Sequence, residues 1–141
     1  MKSKAATDST KIYRVLDANF NRAKEALRVC EDVSRFLWDE GSLTASFKNI
    51  RHRLSDIIKT VDLAKLIKSR NIASDVGKKT TRSESRREKP DDILFANLQR
   101  LKESLRVLEE FSKLISPSAA IRFKKLRYDS YALEKKIVEA L

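Results

Sequence analysis

The residues best suited to chemistry lie in two closely similar runs of the chain. Residues 18–36 and 96–114 are identical at ten of nineteen positions when they are aligned at an offset of 78. Both runs carry an asparagine, an arginine and a glutamate at the same spacing: Asn19, Arg22 and Glu25, then Asn97, Arg100 and Glu103. Guanidinium groups bind phosphate oxygens bidentately, and a carboxylate can orient Mg²⁺ against a phosphate. The paired runs therefore favour binding of an anionic ligand.

Helical periodicity directs several of these polar side chains inward. At 100° per residue, the apolar face of the first run centres near Asn19, and Asn97 has the same position in the second. Arg51 and Arg127, related by an offset of 76, stand among apolar residues of the segments that follow. Because buried polar groups need partners, the repetition predicts a cluster of amide and guanidinium donors near a shared axis.

Two interpretations of this cluster remain open. The inward side chains could form interhelical hydrogen bonds that fix the packing register, which is the best-attested use of buried polar groups. The acids available to them are Glu25, Glu31, Glu103 and Glu109. The same acids could instead hold Mg²⁺ against a phosphate. Arg28 and Arg106 fall opposite the apolar stripe and are expected to pair with glutamates three residues away.

Other chemistry-bearing residues are few. His52 is the single histidine and its repeat partner is Tyr128, which argues against a metal role. Cys30 lies on the apolar stripe and is expected to be a small core residue. The sequence has no glycine-rich nucleotide loop and no HExxH or CxxC motif. Any phosphate would therefore be held by Arg, Lys and helix N-termini, and the metal ligands stay unknown.

The elements that position these residues are predicted to be helices. Gly41 is expected to end the first helix and Pro117 to break the third. The repeat predicts an all-α fold, a four-helix bundle of two αα-hairpins related by a pseudo-twofold axis. The predicted segments are a disordered N-terminus (1–9), hairpin one (10–67), a long basic loop (68–90) and hairpin two (91–141), the last three forming a single helical domain.

Composition limits the alternatives. The 141 residues suit one domain and are too few for a (β/α)₈ barrel, and four Gly and Pro together are too few for a turn-rich β-sandwich. One cysteine excludes a disulfide framework. No apolar run of about 18 residues is present, so neither a signal peptide nor a membrane span is predicted. The sequence is typical of a soluble, cytoplasmic, basic helical domain.

The same residues resemble one helical family. Asp17–Asp32 and Ala96–Glu110, with Arg51–Leu54 and Asp75–Gly77 between them, are similar to the alternative hydroxymethylpyrimidine phosphate kinase family. That family is found alone or fused ahead of thiamine-phosphate synthase, and the resemblance covers about residues 12–137. It implies phosphorylation of hydroxymethylpyrimidine phosphate to the diphosphate, with ATP and Mg²⁺, in thiamine biosynthesis.

The resemblance also assigns site residues. Glu25, Glu103 and Asp75 are expected to be catalytic. The residues expected to bind substrate or phosphate, from the resemblance or from the helical faces, are Asn19, Arg22, Arg51, Arg70, Gly77, Asn97, Arg100 and Arg127. Glu84 and Arg87 match an acidic and a basic position later in the loop, which is expected to close as a lid. The chain departs from the family pattern at Cys30 and in its very basic segment 78–89.

Two other function classes compete with a kinase that binds a small phosphate and a nucleotide. A net charge of +11 suggests a nucleic-acid binder, but the basic residues are interleaved with acids and no DNA-reading motif is present. This class is therefore disfavoured. A non-catalytic helical adaptor that docks onto thiamine-phosphate synthase is the other alternative.

Overall fold

The computed structural model describes residues 8–80 and 86–141. Within these ranges the chain is helical and contains no strand, which confirms the predicted all-α class. The helices are α1 (Ser9–Asp32), α2 (Gly41–Ile58), α3 (Leu63–Lys68), α4 (Pro90–Ser112) and α5 (Pro117–Ala140), and a π-helical turn at Val33–Leu37 continues α1. Residues 1–7, most of the segment expected to be disordered, lie outside the described residues, and so does Glu84.

Short polar side chains set the helix starts. The Asp8 carboxylate accepts a hydrogen bond from the Thr10 amide at 3.0 Å, and the Ser116 hydroxyl accepts one from the Ala119 amide at 3.3 Å. Helices α4 and α5 both open with a proline, at a position where no intrahelical amide donor is required. These local signals mark where α1, α4 and α5 begin.

The four long helices pack as a ring. Helix α1 contacts α2 and α4, and α5 contacts the same two helices. The Cys30 thiol near the end of α1 lies 3.6 Å from the carbonyl oxygen of Leu94 near the start of α4, so α1 and α4 run antiparallel. This arrangement fits the predicted bundle of two αα-hairpins.

The core follows the internal repeat. Phe47 of α2 and Phe123 of α5 occupy equivalent positions, and both are fully buried. Ile50 and Leu126 repeat the pattern one turn later. Burying each such side chain stabilises the fold by roughly 1.5–3 kcal/mol, which makes these positions the framework that holds the polar residues in place.

The end of the first helix differs from the prediction. Gly41 does not end it but is the first residue of α2, and it has no positive φ. The chain instead passes through the π-helical turn, and Asp39 takes the left-handed conformation with φ 52°. Aspartate tolerates this conformation better than most residues, so the turn does not require glycine there.

Helix α3 begins the connection between the hairpins. It buries Leu66 and packs against α1. The described residues that follow, 69–80 and 86–89, contain no helix and are almost entirely exposed, in keeping with a long loop. None of the helices in the described part of the chain is long and apolar enough to cross a membrane.

Candidate functional site

A groove of about 710 Å³ lies along the contact between α1 and α4. Both helices line this α1–α4 groove, and their contributions include one pair of equivalent positions, Arg22 and Arg100. Its polar lining consists of Asn19, Arg22, Arg87, Gln99, Arg100, Glu103 and Ser104. Four of the residues predicted to form a site, Asn19, Arg22, Arg100 and Glu103, are therefore brought together.

Two arginines dominate the electrostatics of the groove. Arg22 and Arg100 are equivalent in the two repeats, and both side chains are exposed. No ion pair among the described residues involves either of them, and Arg22 makes only a long hydrogen bond of 3.4 Å to the Asn19 amide oxygen. With Arg87, three guanidinium groups face one carboxylate, that of Glu103, which suits an anionic ligand.

The two asparagines do not meet. The side-chain amide of Asn19 is buried and donates to the carbonyl oxygen of Val15 at 2.9 Å. Asn97 makes the same bond to Ile93 at 2.8 Å but is only half-buried and does not line the groove. Each amide is thus engaged by a carbonyl oxygen of its own helix, and the groove receives Asn19 alone.

The two inward arginines of α2 and α5 are held by internal carboxylates. Arg51 donates to both carboxylate oxygens of Glu31, at 3.1 and 3.3 Å, and Arg127 donates to Glu109 at 3.1 Å. Burial, the largest single influence, opposes the charge of Arg127, but the hydrogen bond and the charge of Glu109, together with Tyr131 and Tyr128, outweigh it, so the pKa of Arg127 is raised. The interhelical pairing that the sequence left open accounts for both arginines, and neither lines the groove.

The same glutamates complete the predicted helix-surface pairs. Arg28 approaches Glu31 at 3.5 Å, and Arg106 approaches Glu109 at 3.2 Å. Each buried carboxylate thus bridges an exposed arginine on its own helix and a nearly buried one on the next helix. The repetition of this arrangement in both hairpins indicates a structural role.

Arg70 is engaged in a different contact from the predicted one. It donates to both oxygens of the buried Asp17 carboxylate, at 2.6 and 2.9 Å. The hydrogen bond and the charge of Asp17 raise the pKa of Arg70. Arg14 reinforces the contact by donating to the Asn71 carbonyl oxygen at 3.0 Å. Arg70 therefore fastens the start of the long loop to α1 through Asp17, a residue that was not among the predicted site residues.

The remaining predicted residues lie outside the groove. Asp75 is exposed and its carboxylate accepts a hydrogen bond from the Gly77 amide at 2.8 Å, which forms a local turn. A side chain at Gly77 would meet only an Asp75 oxygen at an ordinary 3.5 Å, so no steric demand for glycine exists here. Glu25 is exposed on α1 and also lies away from the groove. Of the three predicted catalytic residues, Glu103 alone lines it.

Comparison with known proteins identifies the family. The sequence profile of the ThiD2 family matches residues 14–136, which is most of the chain. The chain belongs to the ThiD2 family. All the residues that line the α1–α4 groove fall within the ThiD2 match, so the groove is built entirely from the family's own segment.

The ThiD2 chain also resembles part of several curated proteins. It is 37% identical over 128 residues to a thiamine-phosphate synthase of Nostoc punctiforme, covering 90% of this chain and 35% of that protein. A thiamine-phosphate synthase of Synechocystis is 40% identical over 126 residues, with 89% and 36% covered. The ThiD2 chain thus spans about a third of the length of these relatives. No solved structure matches it.

Sequence analysis did not predict two residues of the groove and indicated a third only weakly. Gln99 and the buried Ser104 were missed because the repeat does not conserve them: their partners are Asn21 and Ala26. Arg87 was indicated only by its place late in the loop. A repeat alignment finds the shared residues of a two-part site and overlooks those that one repeat alone supplies.

Proposed function

We propose that this chain is a phosphotransferase of thiamine biosynthesis that transfers the γ-phosphoryl group of ATP to hydroxymethylpyrimidine phosphate. The observation that carries the proposal is the convergence of Arg22, Arg87 and Arg100 with Glu103 in one groove. The ThiD2 match and the relatives named thiamine-phosphate synthase support a role in thiamine biosynthesis, because those relatives are named for a step in making thiamine phosphate.

The chemistry asks mainly for positioning and charge stabilisation. In the transfer, an oxygen of the acceptor phosphate bonds to the γ-phosphorus of ATP, the bond from that phosphorus to the bridging oxygen breaks, and ADP leaves. A phosphate monoester is largely dianionic at pH 7, because its second pKa is near 6, so no strong general base is needed. Arg22 and Arg100 would clamp the two phosphate chains from facing helices, and Arg87 would neutralise further charge.

Glu103 could serve as a ligand of a Mg²⁺ ion that enters the groove bound to the nucleotide. The described residues contain no cluster of three or more His, Cys, Asp or Glu side chains able to hold a metal by themselves. Mg²⁺ in phosphoryl-transfer sites is commonly held by one or two carboxylates together with substrate phosphates. The single carboxylate of Glu103 fits that donor set. When bound, Mg²⁺ would neutralise charge on the phosphates, and Glu103 would fix its position.

The test is turnover of the purified chain with ATP, Mg²⁺ and hydroxymethylpyrimidine phosphate, followed by chromatography of the diphosphate. We expect Arg22→Ala and Arg100→Ala to lower kcat/KM by about 10²–10³-fold, the usual effect of losing one charge-stabilising donor. Arg28→Ala is the matched control, since it removes an exposed arginine of α1 outside the groove. No turnover by the wild-type chain, or unchanged rates in both variants, would contradict the proposal.

A second candidate is a docking role without turnover. It is favoured by one observation: in the relatives, the matched segment is about a third of a longer protein named thiamine-phosphate synthase. The chain would then associate with that enzyme and leave catalysis to it. The turnover assay and a binding assay separate the two candidates: turnover excludes a purely docking role, and binding without turnover favours it.

A further inference from the structure

The two hairpins are covered unequally. On the first hairpin, α3 packs against α1, and the residues after it are fastened by Arg70 to Asp17. The position equivalent to Asp17 in the second repeat is Phe95, an apolar residue. Phe95 lies in a groove of about 420 Å³ between α4 and α5, together with Tyr131 and Val138. No helix in the described residues packs over this second face.

The outer face of α5 continues this apolar surface. Ile121, Tyr128, Tyr131 and Val138 are 70%, 57%, 45% and 55% exposed. Their separations of seven, three and seven residues are those of a helix seam that packs against another helix. We call these four residues together with Phe95 the α5 face.

The internal repeat shows that the fold does not require the α5 face. The positions of α2 and its following turn that are equivalent to its four α5 residues hold Ala45, His52, Ser55 and Asp62. These side chains are small or polar, although both hairpins share the same buried core. At these positions only the second hairpin exposes aromatic and aliphatic side chains, in a row along one helix, which points to a partner.

Charge decides which kind of partner fits. Lys124 and Lys135 are exposed in the same row as the apolar residues. Lys135 lies 3.8 Å from Glu139, which lines the Phe95 groove together with Glu134, whereas Lys124 is in no ion pair among the described residues. In an antiparallel pair of α5 helices from two copies, these lysines would face one another, and the net charge of +11 would oppose association. A partner helix with an aliphatic seam flanked by carboxylates would be complementary.

We propose that the α5 face docks thiamine-phosphate synthase, by receiving an aliphatic helix of that enzyme beside Phe95. The relatives place a segment like this chain in one polypeptide with the remainder of an enzyme of that name, where a matching face would be available at high effective concentration. The contact would give the second hairpin the cover that α3 gives the first. This proposal rests on the second candidate function and involves no residue of the α1–α4 groove.

The experiment measures binding of the full chain to a purified thiamine-phosphate synthase that has no ThiD2-like segment, by calorimetry and by light scattering after gel filtration. We expect a complex with the wild-type chain. The Tyr131→Glu/Val138→Glu double variant should weaken it at least about tenfold, since buried aromatic anchors dominate interface energies. The control is His52→Glu/Ser55→Glu, at the α2 positions equivalent to Tyr128 and Tyr131, which should bind like the wild type.

Each outcome decides the proposal. Ile121→Ser/Tyr128→Ser, at the other end of the seam, provides a milder second variant, and circular dichroism checks the fold of all variants. Absence of a complex, or equal loss in the α2 control, would overturn the proposal. So would a wild-type homodimer, or binding to phosphatidylserine vesicles, that the α5 variants abolish, because the occupant would then be a second copy or a membrane. Arg100→Ala should bind normally, so a failure of the kinase proposal is distinguishable from a failure of docking.

Discussion

Arg53 of α2 donates a hydrogen bond of 2.6 Å to Asp129 of α5, and the two residues are 76 positions apart, the same offset that relates the two helices in the repeat. Equivalent positions of two repeats contact each other only where a twofold axis passes between them. Arg22 and Arg100, also equivalent, share the groove on the α1–α4 side of the bundle. The axis thus joins the α2–α5 contact to the groove, and neither hairpin alone forms the groove.

The contact between Arg53 and Asp129 explains why these two equivalent positions hold different residues. An exact repeat would place two arginines or two aspartates against each other. We expect Asp129→Arg to lower the free energy of unfolding by about 1 kcal/mol, because it creates such a like-charge contact, and Arg53→Asp to do the same. The double variant, Arg53→Asp/Asp129→Arg, should recover the loss. Both side chains are about one-third exposed, so the coupling should be about 0.2–1 kcal/mol.

Urea denaturation of the four proteins measures this coupling as a double-mutant cycle. The slope of the transition should be the same in all four, since only a local contact changes. If the loss of unfolding free energy in the double variant equals the sum of the losses in the two single variants, the side chains of Arg53 and Asp129 do not interact.

The two buried glutamates predict a paired effect on stability. Glu31→Ala or Glu109→Ala would leave Arg51 or Arg127 facing the core without its carboxylate. Removing one partner of a buried ion pair costs about 3–5 kcal/mol, and the small exposure of these arginines places the expected loss at the lower end. The two losses should be similar because the two pairs are equivalent.

Thermal unfolding measures both losses, with Glu25→Ala as the control, since that glutamate is exposed and in no ion pair among the described residues. Loss of activity at unchanged stability in either variant would contradict the structural role. Such a result would instead favour the phosphate-binding role that the sequence predicted for Arg51 and Arg127.

The sequence predicted the helices and their pairing because these follow from local, periodic rules. Apolar spacing identifies the buried face of each helix, and the repeat relates the two hairpins. The face of a helix does not identify the partner of a side chain, however. The inward direction of Arg51 was therefore predicted correctly. Whether its partner is a glutamate or a ligand phosphate depends on how the neighbouring helix is rotated, which the sequence pattern does not determine.

Two further differences have the same origin in long-range geometry. Asn19 and Asn97 repeat along the sequence, yet only Asn19 lines the groove, and periodicity alone contains no information on where neighbouring segments leave a groove open. The contact between Arg70 and Asp17 joins residues 53 positions apart through an irregular segment, which no periodic pattern describes. By contrast, Arg22, Arg100 and Glu103 lie together because a single contact, that between α1 and α4, positions all three.

The Asp17–Arg70 pair predicts a local change in dynamics. Arg70→Ala should release residues 69–80 from α1, because the remaining contact given by Arg14 to the Asn71 carbonyl is exposed. Amide hydrogen exchange in this segment should accelerate, while exchange in α4 and α5 stays unchanged. Lys68→Ala, two residues earlier and exposed, is the control. Equal protection of residues 69–80 in Arg70→Ala and the wild type would show that the ion pair does not fasten the segment.

The single thiol predicts how the bundle resists chemical modification. Cys30 is fully buried where α1 meets α4, and burial raises the pKa of its thiol to about 12. At pH 8 only about one molecule in 10⁴ would carry the reactive thiolate, and the reagent has no access to it. We expect the native protein to be almost inert toward a thiol-specific aromatic disulfide. The rate should rise with urea in parallel with unfolding, because exposure returns the thiol to an ordinary pKa.

A variant with Cys30→Ser and Ser55→Cys supplies the matched comparison, since it moves the single thiol to a partly exposed position of α2. Its thiol should react within the native state, at a rate that urea changes little before the transition. If Cys30 in the native protein reacted as fast as this control, the α1–α4 contact would have to open readily. The groove built on that contact would then be too mobile to hold Arg22 and Arg100 in fixed positions about a phosphate.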